Sequence, residues 1–281
     1  MRGRTIVRLM HGLRDGDVRH FDAELRGLTG HDEALIADAA TLSPATCATA
    51  LLARATQRIG AVAPVGEEAI AGLVIGDRER LLLKLCEMTF GDELDLVAHC
   101  PGCGELQEMA VRPGELLGAA PDAPMAIEHE IRPETADGSW RIRFRLPTGR
   151  DQEKAARDPE RAKAGLITGC VTGCTGPGGE ALAPEAAAQI FGALLEDAFQ
   201  RLDPDAEATS SITCGACGHA SVALLDGFAI LHAGLTRGED IYRDTYWMSR
   251  TYHWSEADIL AMPIARRKRY LALAADMAAG A

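Results

Sequence analysis

Two short cysteine turns, Cys100-Pro101-Gly102-Cys103-Gly104 and Cys214-Gly215-Ala216-Cys217-Gly218, constrain this chain more than any other feature. A Cys-x-x-Cys turn lets two thiolates converge on one ion. The glycine after the second cysteine permits the left-handed backbone that brings amide N–H groups toward the sulfurs. Two such turns complete a closed tetrahedral shell, so Cys100, Cys103, Cys214 and Cys217 are expected to hold one structural Zn2+. A lone Cys-x-x-Cys would suit a thioredoxin-like dithiol, and four thiolates also hold iron–sulfur clusters. Two knuckles, each followed by glycine and each set between β-like runs, favour a zinc ribbon. His99 and His219 flank the knuckles and are read as pointing outward or bonding locally.

The chain has 281 residues, 25% of them charged, with a formal net charge of −12. That charge argues against broad binding to nucleic acid or an anionic membrane, since phosphate backbones are held by clustered Lys and Arg. No run of about 18 apolar residues is long enough to span a bilayer, and no signal-peptide core follows the basic start. The expected location is the cytoplasm. In that compartment eight cysteines point to metal binding and buried thiols rather than disulfides, with Cys47 and Cys86 read as buried.

Periodicity predicts an α+β protein, mainly helical, with the zinc ribbon built from two distant knuckles and one or two small hairpins. A hairpin opens the chain around Leu13 to Asp17, then a short helix runs from Asp32 to Ala39. Ser43 and Pro44 start a longer helix ending at Gly60, and another spans Asp77 to Met88 with Arg78, Glu79 and Lys84 on its polar face. Leu94–Ala98 and Leu106–Val111 flank the first knuckle. In the insert, Glu128 and Glu130 are set to face Arg141, Arg143 and Arg145 across a second hairpin. Residues 169–179 read as a glycine-rich loop that is a flexible connector or the end of a helix, in which Cys170 and Cys174 are less apt for a second ion. A helix over Pro184–Leu202 carries Ile190, Leu194, Leu195 and Ala198 at core spacing, and Ser211–Thr213 and Ser221–Leu225 flank the second knuckle. The expected divisions are 1–91, an N-terminal hairpin with helices; 92–226, the ribbon with its insert at about 113–207; and 227–281, a helical segment. No internal repeat is expected beyond the two half-sites.

All four tyrosines and two of three tryptophans fall in the last forty residues. Tyr242, Tyr246, Trp247, Tyr252, His253, Trp254, Arg266 and Arg267 form the candidate partner-binding set, because Trp, Tyr and Arg are enriched at binding hot spots. Ser255 reads as a helix cap rather than a nucleophile, and no catalytic constellation is present, so the chain is expected not to be an enzyme.

Several blocks carry a resemblance: Thr29-Gly30-His31-Asp32-Glu33, Gly76-Asp77-Arg78-Glu79-Arg80-Leu81-Leu82-Leu83, Thr89-Phe90-Gly91-Asp92 with the first knuckle, and Tyr252-His253-Trp254-Ser255-Glu256 followed by Pro263. Together they resemble the baseplate hub and hub assembly proteins of contractile-tailed phages and related injection systems. The resemblance implies a non-enzymatic baseplate component or assembly factor, with other baseplate, spike or tail proteins as partners and possible incorporation into the particle. The competing reading is a zinc-ribbon adaptor in transcription or nucleic-acid handling, which leaves the acidic charge unexplained.

Overall fold

The computed structural model describes residues 5–39, 41–119, 125–236 and 241–279. Strands β1 (Thr5–Asp15) and β2 (Val18–Leu25) form the opening hairpin, followed by α1 (Gly30–Asp38) and α2 (Pro44–Ala55). The Ser43 side chain accepts from Thr46 N–H and Pro44 occupies the first turn of α2, as the sequence predicts. That helix ends at Ala55, however, not at Gly60. Thr56–Ile59 forms β3 and pairs antiparallel with β2, Ala23 opposite Ile59, completing a three-stranded sheet in the order β1-β2-β3. Burial of Thr56 and Ile59 on this sheet outweighs the helical pattern carried over from Leu52.

Next come α3 (Glu67–Ala71), α4 (Ile75–Phe90), the hairpin β4 (Leu94–His99) and β5 (Leu106–Val111), and a single turn α5 (Pro113–Leu116). Helix α4 corrects the sequence reading most sharply. Its charged side is not a solvated face: Asp77, Arg78 and Arg80 are all buried. Asp77 accepts N–H groups from Met10 at 2.6 Å, His11 at 3.1 Å and Gly12 at 2.7 Å, where β1 bulges out of register with β2. Arg78 donates to Thr49 Oγ1 and to the carbonyls of Ile70 and Ala45. Arg80 pairs with Asp205 at 2.8 Å, and Asp203 bridges His11 Nε2 and Gly76 N–H. These polar groups tie α4 to elements far away in sequence, which a pattern that counts only apolar residues does not register.

The insert carries β6 (Glu128–Ile131), the tiny hairpin β7 (Glu134–Thr135) and β8 (Gly138–Ser139), then β9 (Arg141–Arg145), α6 (Gly149–Ala155), α7 (Ala162–Cys170) and β10 (Val171–Thr175). Glu128 stands opposite Arg145 and Glu130 opposite Arg143, while Ile142 and Phe144 are buried on the other face. Arg145 nevertheless turns to Asp151, and Glu130 pairs with Arg132 and Arg141. Of the two readings of 169–179, the end of a helix holds at its start, and a strand that neither reading included follows. The first half of this segment finishes α7 and forms β10, the outer neighbour of β9, so Cys170 and Cys174 are buried thiols of a second core. Burial pushes the Cys170 thiol up to about 12.

Helix α8 (Pro184–Leu202) has the predicted bounds and buries the predicted Leu195 and Ala198, but the buried face is rotated away from Ile190 and Leu194. Ala187, Phe191, Leu195, Ala198 and Phe199 enter the second core, whereas Ile190 and Leu194 lie on the exposed side. Phe191 and Phe199, absent from the predicted stripe, pack on Trp140 and Phe144 and rotate the helix toward the sheet. Then follow the hairpin β11 (Thr209–Thr213) and β12 (Ala220–Leu224), and helices α9 (Gly227–Thr236), α10 (Ile241–Tyr252), α11 (Glu256–Leu260) and α12 (Ile264–Ala279). Phe228 and Leu231 of α9 join the first core beneath β1-β2-β3, and Met248, Ile259 and Met262 form a small core of their own.

Contrary to the expectation of no repeat, the chain runs through one series of elements twice. Two antiparallel strands, two helices, a third strand antiparallel to the second, a long helix and a knuckle hairpin occur as β1-β2-α1-α2-β3-α4-β4-β5, with α3 inserted before the long helix. They recur as β6-β9-α6-α7-β10-α8-β11-β12. Each sheet has its second strand at the centre. The two series share few residues, so period searching on apolar pattern does not detect them.

One buried acid in this frame gives a pH-dependent prediction. Glu79 accepts the N–H of Gly227 at the start of α9, and burial pushes its carboxyl up to about 8 from the ordinary 4.5. The folded state therefore holds a proton that the unfolded chain releases above about 4.5, so this group's contribution is full below 4.5 and is lost as pH rises through 8. Glu79→Gln keeps the acceptor without the titration. Urea unfolding of the variant is expected to lack a decline of roughly 1.4 kcal/mol per pH unit between about 5 and 8 that the parent shows.

Candidate metal centre

Each knuckle is the tip of a two-stranded hairpin, and the two tips are built alike. Cys100 N–H donates to Glu105 O at 2.8 Å and Gly104 N–H to Cys100 O at 2.8 Å; Cys214 N–H donates to His219 O at 2.9 Å and Gly218 N–H to Cys214 O at 2.9 Å. Gly104 (φ 76°) and Gly218 (φ 73°) take the left-handed conformation that closes each turn. The hairpins are brought together at their bases by a shared core of Leu83, Val111, Ala208 and Leu225. At the tips, Gly215 N–H donates to Gln107 Oε1 at 3.2 Å.

The structure gathers all four predicted thiols: the sulfurs of Cys100, Cys103, Cys214 and Cys217 lie within 4.8 Å of one another. Cys100 and Cys217 are 3.7 Å apart, as are Cys103 and Cys214. Four sulfurs bound tetrahedrally at about 2.3 Å from one ion would be separated by roughly 3.8 Å, so the donor set fits a single thiophilic ion. It is too wide for a disulfide. Gly102 N–H donates to Cys100 Sγ at 3.4 Å, and the amides of Cys217 and Ala216 hold the Cys214 thiol down to about 7. The Glu105 amide favours the Cys103 thiolate, but proton sharing with Cys217, Cys214 and Cys100 pushes that thiol up to about 12. Four adjacent thiolates repel one another, and a cation among them removes that cost. His99 bonds locally, its Nδ1 at 3.1 Å from Gly104 O, and the His219 ring packs against Gly102.

The C-terminal candidates separate into two groups. Tyr242, Tyr246 and Trp247 of α10 are exposed, and Tyr242 donates to Asp38 at 2.7 Å. Arg266 is exposed over the ring of Tyr270. By contrast, Tyr252 and Trp254 stack with ring centroids 4.8 Å apart, Tyr270 closes on both, and these rings cover the small core. His253 ends α10 with φ 55°. Arg267 is a correction: it is 1% exposed and held by Glu33 and Asp244, so its side chain is not on the surface. Sequence reasoning missed the polar ties of Asp77, Arg78, Arg80, Asp203 and Asp205, although the run of charges in Gly76–Arg80 was visible.

The arrangement defines a mixed α+β protein with a closed four-cysteine cluster suited to a metal ion. The profile of the T4 bacteriophage base plate protein family matches residues 46–231, a span that includes both knuckles. The chain belongs to that family of phage baseplate proteins. No curated protein matches the chain, and no solved structure does. No described helix is long and apolar enough to cross a membrane.

Proposed function

We propose that this protein is a non-enzymatic component of the baseplate hub of a contractile tail, or the factor that assembles it, with Zn2+ as a structural clasp in a zinc ribbon. The carrying observation is that the family span takes in two knuckles whose four thiols converge, though 110 residues separate them. With four protein ligands, the shell keeps no position for water or substrate, which favours a structural ion over a catalytic one. Tetrahedral thiolate sets suit zinc and iron, and zinc needs no redox partner.

The partners are other baseplate, spike or tail proteins. The surface offered to them is the exposed aromatic side of α10, Tyr242, Tyr246 and Trp247, with the groove along α12 lined by Pro263, Arg266, Arg269, Tyr270 and Leu273. The protein is made in the cytoplasm and joins the tail there. Elemental analysis of the purified protein is expected to give one zinc per chain. A tagged copy expressed with the whole tail cluster is expected to retain a baseplate or spike protein, and Trp247→Ala with Tyr246→Ala is expected to weaken that retention about tenfold or more. Recovery of no tail protein would defeat the reading, and salt-sensitive binding of the zinc-loaded chain to DNA would put the adaptor in its place.

A further inference from the structure

The two halves of the chain share a second device, independent of the metal. Where the central strand of each three-stranded sheet passes into the next helix stands Arg-x-x-Thr-Gly-x-Asp: Arg26, Thr29, Gly30 and Asp32 at the start of α1, and Arg145, Thr148, Gly149 and Asp151 at the start of α6. In both, the arginine grips the aspartate with two bonds, at 2.7 and 3.0 Å for Arg26 and at 2.6 and 2.8 Å for Arg145. The same aspartate accepts the threonine N–H at 2.8 Å in each case. This is a preorganised socket, with a capping box fixing its shape.

Each socket holds a helix–turn–helix plug of matching sequence. Residues 67–78 and 256–267 place Glu67 and Glu256, Ile70 and Ile259, Ile75 and Ile264, and Arg78 and Arg267 at the same spacings. Docking repeats bond for bond: Gly149 N–H donates to Leu73 O at 3.1 Å and Gly30 N–H to Met262 O at 3.3 Å. Ile75 N–H donates to Pro147 O at 3.1 Å and Ile264 N–H to Leu28 O at 3.2 Å. The buried guanidinium of Arg78 lies against Gly149 and that of Arg267 against Gly30, where any side chain would collide. The pairing is crosswise. The plug of the first half fills the socket of the second, and the plug after the second half fills the socket of the first.

The two plugs differ in how far the body has absorbed them. Ile70 and Leu73 belong to the main core, and the plug runs on without a break into the long helix α4, so the first plug is fixed. The second, with the helices around it in residues 241–279, has a small core of its own, Met248, Ile259 and Met262 under Tyr252, Trp254 and Tyr270. Its contacts with the body include Ile264, the Arg267–Glu33 ion pair, the two backbone bonds above, Leu260 against Gly30, the bridge between Pro263 and Thr29, Tyr242–Asp38 and the packing of α10 and α11 on α1. On release both charges of the ion pair regain water, which offsets part of what is lost. We propose that the Arg26–Asp32 socket of one molecule accepts residues 241–279 of a second copy of this chain, so that copies link by exchanging C-terminal plugs. The occupant is a second copy because the socket demands an isoleucine and, three residues on, an arginine reaching Gly30 and Glu33, and the plug of this chain supplies both.

Charge exchange in the full-length protein tests this. Glu33→Arg sets a second guanidinium against the chain's own Arg267, and Arg267→Glu sets a third carboxylate against Glu33 and Asp244, so each variant repels its own plug. Between the two chains one interface is native and the other has its charges reversed. Co-expressed with different tags, they are expected to co-purify as a 1:1 dimer, at roughly tenfold or more the yield of either variant with the parent. Absence of that dimer overturns the proposal. Should either variant not fold, hydrogen exchange of the parent decides: residues 28–33 and 256–267 are expected to open together and well before 67–78. Opening of both plugs only with the whole fold is the opposing result.

Discussion

If the four thiols hold the proposed ion, Cys100→Ser combined with Cys217→Ser is expected to abolish metal binding and open the tips of both knuckle hairpins while leaving the helices folded. The two residues come from different hairpins, and their sulfurs lie 3.7 Å apart. Removing them leaves one thiol in each hairpin, too few for a closed shell. Structural zinc is worth ~10–16 kcal/mol in small peptides, an amount comparable with the whole stability of a domain. Here the loss is contained because the hairpin bases stand on Leu83, Val111, Ala208 and Leu225, a core shared with α4. What such an ion would add is at the pair of tips, which otherwise meet through the bond from Gly215 to Gln107 and the His219 ring against Gly102. Limited proteolysis is expected to cut the variant within 100–105 and 214–219, with far-ultraviolet dichroism nearly unchanged. Collapse of the helical signal together with metal loss would mean that the ion organises the whole body. Acid should reproduce the effect, since metal is held by thiolates and a falling pH returns their protons.

The legible parts of the molecule were those with local causes. The first hairpin, the capped start of α2, the bounds of α8 and the Ser255 cap of α11 follow from turn residues, N-caps and apolar spacing within one element. The four thiols were legible because metal chemistry demands a small set of ligand types at short spacing within each half-site. Elements whose state depends on distant partners are not legible from their own residues. Thr56–Ile59 is a strand only because β2 lies beside it, and Val171–Thr175 only because β9 does. The charges of α4 looked solvated because their partners, Met10 to Gly12, Thr49 and Asp205, lie tens to more than a hundred residues away. The duplicated socket was present in the letters as two Arg-x-x-Thr-Gly-x-Asp runs, but seven residues recurring once form no periodic signal.

Asp77→Ala is expected to be the most damaging single substitution outside the knuckles, and the reason lies in the β1 bulge. Three successive N–H groups, of Met10, His11 and Gly12, leave the ladder between Arg8 and Leu13 and converge on one carboxylate that is wholly buried. Alanine leaves all three without an acceptor in a site closed to water, at about 1–3 kcal/mol for each orphaned group. Three such losses, roughly 3–9 kcal/mol together, are comparable with a stability of roughly 5–15 kcal/mol. Asp77→Asn separates charge from bonding. Its Oδ1 still accepts, but its amide NH2 confronts a backbone donor where Oδ2 stood, so an intermediate loss of about 2–4 kcal/mol is expected. Burial pushes the Asp77 carboxyl up, against the pull of His11 and the amides of Met10 and Gly12, so the charge itself contributes less than the geometry. Urea denaturation of the three proteins at one pH checks the order parent, Asn, Ala. Equal stability of Asn and parent would assign the bulge to the surrounding core of Leu9, Leu13 and Leu81 instead, because those side chains alone would then hold β1 against α4.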